Sequence, residues 1–498
     1  MKFGEVKFVL PVLPVLTCAV LTCAVLPVAG ADREKQPERP NILFIMADEW
    51  RGDAVGYMGR EPVQTPNMDR IAKQSVTFRN AVSHYPVSSP ARAQLMTGMF
   101  PLQTRVTGNC NSTNAPYGVE LQEDAVCWSD VLKGQGYSLG YIGKWHLDSP
   151  YTPYIDCSNN RGKVAWNEWC PPERRHGFDF WLSYGTYDVH LRPMYWSTDA
   201  GRQDFKYVDQ WGPEFEADQA IAYLKNEGGK FRREGEPFAL VVSMNPPHMD
   251  YNAVPKRYKQ MYAGLNVDSI AEARPDVPPA SDPMGRNFRK VLRSYYACVT
   301  GVDENIGRIV DALDGLGLGE NTIVVITSDH GDCMGTNGQL TKNVIYDLSM
   351  VVPMVVRYPA VVQPRMEDRM ISLMDLYPTM LGLAGLGDEV GKQVQGVDFS
   401  PLIVSGRGKY PSSQPYFRYY PTEPESGNRG VRTERYSYCL SFKNGIPTDT
   451  LLFDRKDDPY MVKNIAKEAK PGVYKKLDRE LKQWLVKAND PLAGKIGK

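Results

Sequence analysis

Two hydrophobic runs of this chain end in acidic clusters. Asn41-Ile42-Leu43-Phe44-Ile45-Met46-Ala47 leads into Asp48-Glu49, and residues 322–327 (TIVVIT) lead into Ser328-Asp329-His330-Gly331-Asp332. Either cluster alone reads as a solvated loop. Together they suit a hard divalent cation, which takes six or more ligands, nearly all oxygens. Asp48, Glu49, Asp329 and His330 are therefore candidate metal ligands, although His330 offers nitrogen to an ion that prefers oxygen. In Ser88-Ser89-Pro90-Ala91-Arg92, Ser89 suits a helix N-cap, Pro90 the first helical position, and Arg92 lies one turn on from Ser88. Ser88 would then sit at the positive end of a helix beside a guanidinium, a place for an anionic tetrahedral group. Capped helices beginning Ser-x-Pro are also common without any ligand. Lys144 and His146 are two apart, so at a strand end they would share a face.

Bringing these residues together requires a sheet. Buried-strand candidates occur at 41–47, 138–142, 238–244, 322–327 and 352–357, with helix-period segments at 66–74, 90–97, 128–133, 214–224, 288–313 and 373–384. This alternation predicts an α/β fold, a large mainly parallel (mixed) sheet sandwiched by helices, whose ligands bind beyond the carboxyl ends of its strands. From about Tyr416 the pattern changes to two-residue-period strands at 416–420, 430–442 and 450–454, followed by an amphipathic helix at 473–486. That texture predicts a smaller C-terminal antiparallel α+β subdomain. Gly406, Gly408, Pro411 and Pro415 mark the linker. The expected division is a signal segment 1–31, a catalytic domain 32–410 and the subdomain 411–498.

The 498 residues carry 58 Lys+Arg against 58 Asp+Glu and are 42% hydrophobic, which provides for a large core and excludes a disordered tail protein. Zero formal net charge removes the footprint of a general nucleic-acid binder. Lys2 and Lys7 precede an uncharged stretch from Phe8 to Ala31 that closes on Ala29-Gly30-Ala31, the small-x-small pattern of a cleaved secretory signal. A stretch of this length would also span a bilayer, but Pro11, Pro14, Pro27 and the small-residue exit favour cleavage, export, and no stable membrane association afterwards. A lipidated Cys18 or Cys23 is disfavoured by the Thr before each. Of the other cysteines, Cys110 with Cys127 and Cys157 with Cys170 could form loop disulfides in an exported protein, but seven in so long a chain are too sparse for a scaffold.

Ser88-x-Pro90-x-Arg92 followed by Thr97-Gly98 resembles the maturation signature of the formylglycine-dependent (type I) sulfatases of the alkaline phosphatase superfamily. Further stations of that family follow in order. Pro40 to Asp48 resembles its opening metal strand, and Gly143-Lys144-Trp145-His146 its sulfate-binding Gly-Lys-x-His. Asn245-Pro246-Pro247-His248, Ser328-Asp329-His330-Gly331, and Lys342 ahead of Tyr346-Asp347 resemble three later stations, and Leu452 to Pro459 resembles its C-terminal hairpin. Two departures stand out: serine rather than cysteine at 88, which implies a radical-type anaerobic maturase and a bacterial source, and Glu49 and His330 where Asp or Gln and Asn are common.

The resemblance implies a sulfuric ester hydrolase with one divalent cation, Ca2+, held by Asp48, Glu49, Asp329, His330 and the modified Ser88. Ser88 would become formylglycine, whose hydrated form attacks sulfur, with Arg92, Lys144 and Lys342 holding the sulfate. His248, with Lys342, would protonate the departing sugar oxygen, and His146 would take a proton from the diol to release sulfate. His84 and His176 read as structural residues. The expected substrate is a sulfated carbohydrate. A loose resemblance of residues 171–179 to members acting on 4-sulfated galactose or N-acetylgalactosamine narrows it. His190 and Arg192, in the aromatic-rich segment 166–211, are expected to contact the sugar, with the appendage around Arg429 closing one side of the pocket. That segment reads equally as a packed surface lobe. A phosphodiesterase or phosphonate hydrolase of the same superfamily, and a non-catalytic binder of sulfated glycans, are the alternatives. The chain is expected in the periplasm or outside the cell.

Overall fold

The computed structural model describes residues 39–497, with Met1 and Gly4, so the expected signal segment lies almost wholly outside the described residues. Among the described residues no helix is long and apolar enough to cross a membrane. The described residues from 39 to 497 belong to one compact unit.

Its frame is a ten-stranded sheet in the order Arg365–Glu367, Val76–Phe78, Val355–Arg357, Thr322–Ser328, Asn41–Ala47, Phe238–Ser243, Ser138–Lys144, Phe180–Tyr184, Met194–Ser197, Lys206–Tyr207. The five strands from Thr322–Ser328 to Phe180–Tyr184 are mutually parallel. Antiparallel strands flank them on both sides, which makes the sheet mixed as expected. Along Asn41–Ala47, Ile42, Phe44 and Met46 enter one apolar core while Leu43, Ile45 and Ala47 enter the other. Successive side chains of a strand point to opposite faces, so a strand covered on both faces must be apolar where it is buried, and this one is from Ile42 to Ala47.

The longest helix, Pro283–Gly315, covers one face. Asp282 accepts from the Met284 N–H and Pro283 takes the first helical position, which explains why the helix begins five residues before the apolar periodicity at Phe288. It buries Phe288, Leu292, Tyr295, Val299, Val302 and Ile306 against the sheet.

The C-terminal sheet contains four antiparallel strands, Ser413–Tyr420, Glu423–Thr433, Tyr436–Lys443 and Ile446–Asp454. The single strand expected over 430–442 is two, because the chain reverses at Glu434-Arg435. Helix Pro471–Lys487 covers this sheet with Leu477, Leu481 and Leu485. They share a core with Tyr85, Val87 and Phe100 from the N-terminal part, so the sheet is packed against that part.

Two open readings are decided and one expectation is corrected. All seven cysteines from Cys110 to Cys439 are free and buried, so neither Cys110/Cys127 nor Cys157/Cys170 is a disulfide. The 166–211 segment is largely a packed lobe: Tyr184, Tyr187, Tyr195 and Trp196 form a small core with Ile155 and Met194, and Trp211 packs in the main core. Arg429 does not face a pocket. It is wholly buried, with Nε 2.5 Å from Asp490 Oδ2 and the guanidinium 4.0 Å from the Tyr419 ring centre, while Nη1 and Nη2 donate to backbone carbonyls of residues 418, 426, 428 and 424. Arg429→Ala strands a buried carboxylate and should destabilise the C-terminal sheet by about 3–5 kcal/mol. Urea unfolding followed by fluorescence checks this, and an unshifted transition would show that the pair is not structural.

Candidate active site

Four adjacent parallel strands end along one edge. Register pairs Ala47 with Ser328, Met46 with Ser243, and Gly143 with Ser243, so the residues that follow arrive side by side. They are Asp48-Glu49, Asp329-His330, Lys144 with His146, and Asn245 with His248. Helix Ser88–Thr97 adds Ser88 and Arg92, and the loop before Asp347–Met350 adds Lys342. Glu49, His146 and Asn343 all have positive φ (65°, 54° and 66°), a conformation that non-glycine residues adopt at a cost and that collects at functional sites.

Arg92 ties the edge together. Its Nη2 donates to Asp48 Oδ2 at 2.9 Å, Nε to Asp329 Oδ2 at 3.1 Å, and Nη1 to the Lys144 carbonyl and Ser243 Oγ, both at 2.8 Å. Four of its five N–H groups are thus committed to the protein. Lys144 Nζ lies 2.7 Å from Asp48 Oδ2 and donates to Asn245 Oδ1 at 3.0 Å. Lys342 pairs with Glu49, whose Oε1 is 3.3 Å from His248 Nε2. Burial works against both acids' charge. Lys144, His248 and Arg92 nevertheless hold Asp48 well below the usual carboxylate range, and His248 and Lys342 draw Glu49 down to about 2.

Asp48, Asp329 and His330 offer three ligand atoms within 4.8 Å of one another. His330 Nδ1 donates to the Gly331 carbonyl at 2.9 Å, so Nε2 carries the lone pair, and Nε2 is 3.6 Å from both carboxylates. Burial, and next the Asp48 charge, push Asp329 up to about 7, while burial and Lys342 press His330 down to about 3. Two buried carboxylates whose oxygens converge beside a neutral imidazole form a donor set that fits a divalent cation. Glu49 belongs to a neighbouring group with Asp48 and His248 rather than to this triad.

Ser88 is buried in the first turn of its helix, with Oγ 3.3 and 3.5 Å from the Asp48 oxygens and 3.2 Å from His330 Nε2. The helix starts two residues earlier than expected. Ser89 is not its N-cap, because Ser89 Oγ instead accepts from the Cys110 N–H at 3.0 Å. His146 lies beyond its strand, which runs to Lys144, so strand alternation does not place it; its left-handed backbone does. Its Nε2 donates to the Cys110 carbonyl at 3.1 Å, and its Nδ1 is buried without a partner. Burial, then Lys144 and Arg92, hold His146 well below the usual imidazole range. His248 is shifted the opposite way: burial opposes its charge, but Glu49 raises it.

The two residues expected to read a sugar have partners within the protein. His190 is buried next to His248, and its Nε2 donates to the His248 carbonyl at 3.0 Å. Arg192 is on the surface, paired with Asp209 at 2.7 Å and lying over Tyr207. His84 contacts Gln414 at 2.7 Å and stacks on Phe100, while His176 contacts Asp130. Sequence reasoning passed over Ser243, Asn245's amide, Asp188 and Tyr251. Tyr251 donates to Asp332 at 2.7 Å beside Glu49. Among these only Asn245 carried a signal, its place in the Asn-Pro-Pro-His motif.

Residues 40–386 match the Sulfatase family model, and residues 335–490 match that of the N-sulphoglucosamine sulphohydrolase C-terminal region. The chain is 37% identical to an endo-4-O-sulfatase of Bacteroides thetaiotaomicron, covering 92% of this chain and 94% of that one. It is 32% identical to an ulvan-active sulfatase of Formosa agariphila, covering 93% and 84%. The crystal structure of yidJ from Bacteroides fragilis superposes with a TM-score of 0.89 at 52% identity, covering 92% of this chain and 98% of that one. The edge geometry and these matches agree: the chain belongs to the sulfatase family of the alkaline phosphatase superfamily and is a sulfuric ester hydrolase.

Proposed function

We propose that this sulfatase is exported and acts on sulfated glycans, at 4-sulfated galactose or N-acetylgalactosamine, through a formylglycine made from Ser88 by an anaerobic-type maturase. The observation that carries the reading is the position of Ser88 Oγ, between Asp48 and His330 at the edge where Lys144, Lys342 and His248 converge. The relative named for endo-4-O-sulfatase activity, at 37% identity, supports the glycan and the 4-position. The leader-like residues before Ala31 support export.

A divalent ion, Ca2+, held by Asp48, Asp329 and His330 with Glu49 alongside, would polarise the sulfate, and the formylglycine would supply the nucleophile. Lys144 and Lys342 bring positive charge to the sulfate oxygens where negative charge develops, and Arg92 anchors the acids that hold the ion. His248 Nε2 faces the site and protonates the sugar oxygen as its bond to sulfur breaks, with Lys342 beside it. His146 carries its ring proton on Nε2, so the unpartnered Nδ1 is the free base that takes a proton when sulfate is released.

Ser88→Ala should abolish turnover of a sulfated N-acetylgalactosamine disaccharide while leaving the circular dichroism and unfolding midpoint in place. Mass spectrometry of the active enzyme should find the Ser88 peptide lighter by two hydrogens. Full activity from chains shown to carry unmodified serine would refute the formylglycine reading. One calcium per chain should survive dialysis, and Asp48→Asn should lose it together with more than about 100-fold in kcat/KM. Metal analysis alongside kinetics checks this, and retention of both would remove Asp48 from the metal site.

A further inference from the structure

His248 is gripped from below by residues that sulfate binding itself does not use. Its ring nitrogen Nδ1 lies 2.7 Å from the Met249 carbonyl and 3.3 Å from Asp188 Oδ1. With acceptors on that side, Nδ1 keeps its proton and the second proton sits on Nε2, the atom that faces Glu49 and the site. His190 fixes the backbone of the same residue by donating to its carbonyl.

Asp188 is itself held in place. Asn159 Nδ2 donates to its Oδ2 at 2.8 Å, its own N–H donates to Asn159 Oδ1 at 3.2 Å, and Asn245 Nδ2 donates to its Oδ1 at 3.3 Å. Asn245 Oδ1 in turn accepts from Lys144, so the carboxylate is registered to the sulfate-binding edge through a single side chain. Its side chain is 39% exposed, so it is not a core residue retained for packing. No arginine or lysine pairs with it among the described residues, and the cation it faces is His248.

We propose that Asp188 is a positioning residue for the leaving-group step: it orients the His248 imidazole and keeps Nδ1 as a donor, so that Nε2 delivers its proton along one direction. The inference rests on the reading of His248 as the acid. In that step the oxygen nucleophile at position 88 would bond to sulfur as the sulfur–oxygen bond to the alcohol breaks; that bond's electron pair stays on the alcohol oxygen, and the Nε2 proton passes to it while the Nδ1 proton remains on the ring. A misaligned acid costs most where the leaving oxygen is most basic, and little where the leaving group departs unaided.

The test compares wild type, Asp188→Ala, Asp188→Asn, His248→Ala and the Asp188→Ala/His248→Ala double variant on nitrophenyl sulfates and unactivated phenyl sulfate. His248→Ala should lose about 10²- to 10⁴-fold in kcat on phenyl sulfate and far less on nitrophenyl sulfate. Asp188→Ala should follow the same leaving-group dependence at a loss on the order of 10- to 100-fold, with KM nearly unchanged, and the double variant should be no worse than His248→Ala alone. Asp188→Asn, which keeps the shape and an acceptor, guards against misfolding and should fall between wild type and Asp188→Ala. A loss equal on both substrates, a change confined to KM, or full additivity in the double variant would overturn the role of Asp188 while leaving His248 intact. A loss in His248→Ala that ignores the leaving group would overturn the acid assignment, and with it the proposal.

Discussion

Charge buried without water must find charge to face it, and this constraint organises the site. Asp48, Asp329 and Lys144 are fully buried at the sheet edge, and Arg92 and Glu49 nearly or wholly so. Isolated, any one of them would carry a desolvation penalty of several kcal/mol. Instead each charge faces its opposite: Lys144 against Asp48, Arg92 against Asp48 and Asp329, Lys342 and His248 against Glu49, and His248 again against Asp188. The pairing depends on register. A one-residue slip of any strand sends its side chains to the opposite face and leaves its neighbour's charge unpaired.

That dependence explains what could be read from the chain. Asp48 and Asp329 were legible because each follows an apolar run, and a run buried on both faces has one geometry and one exit. The parallel order was legible from the same runs alternating with helices. His146 was legible only as part of a motif, since the argument from alternation fails once the strand stops at Lys144 and the backbone turns left-handed. Ser89 misled because a serine before proline has two uses for its hydroxyl, and here a partner distant in sequence, the Cys110 N–H, takes it in place of the helix end. His190 misled for a related reason: a histidine in a polar, aromatic loop looks open to ligand, yet its partner is a backbone carbonyl 58 residues away that no spacing reveals.

The C-terminal sheet matters to the chemistry through Lys342. The loop that carries this lysine is held on the N-terminal side by the Asn343 N–H donating to the Pro86 carbonyl at 3.0 Å. The sheet holds it on the other: Tyr416 donates to the Asn343 carbonyl at 2.8 Å, and Arg432 and Arg455 both clamp Asp347. Burial opposes the Asp347 charge, but the two guanidiniums keep it far below the usual range. A small antiparallel sheet far from the strand edge in sequence thereby fixes one of the two lysines proposed to meet the sulfate. The same sheet shares its core with Tyr85, Val87 and Phe100.

The two halves of the pocket therefore obey different rules. Residues at the carboxyl edge are set by hydrogen-bonded register, so sulfate recognition follows from the fold and tolerates little variation in position. The residues beyond them, Asp188 and the half-buried aromatics Trp166 and Trp169, sit on connections whose paths are fixed by side-chain contacts such as Asn159 with Asp188 and Asn160 with the Trp166 and Asn167 N–H groups. Such contacts can be exchanged without disturbing the sheet, because they are made outside its ladder. Discrimination between sugars requires polar groups that lose a partner when the wrong hydroxyl arrives. Those groups are most readily varied on the connections, so the edge defines a sulfatase and the loops around it define which ester it opens.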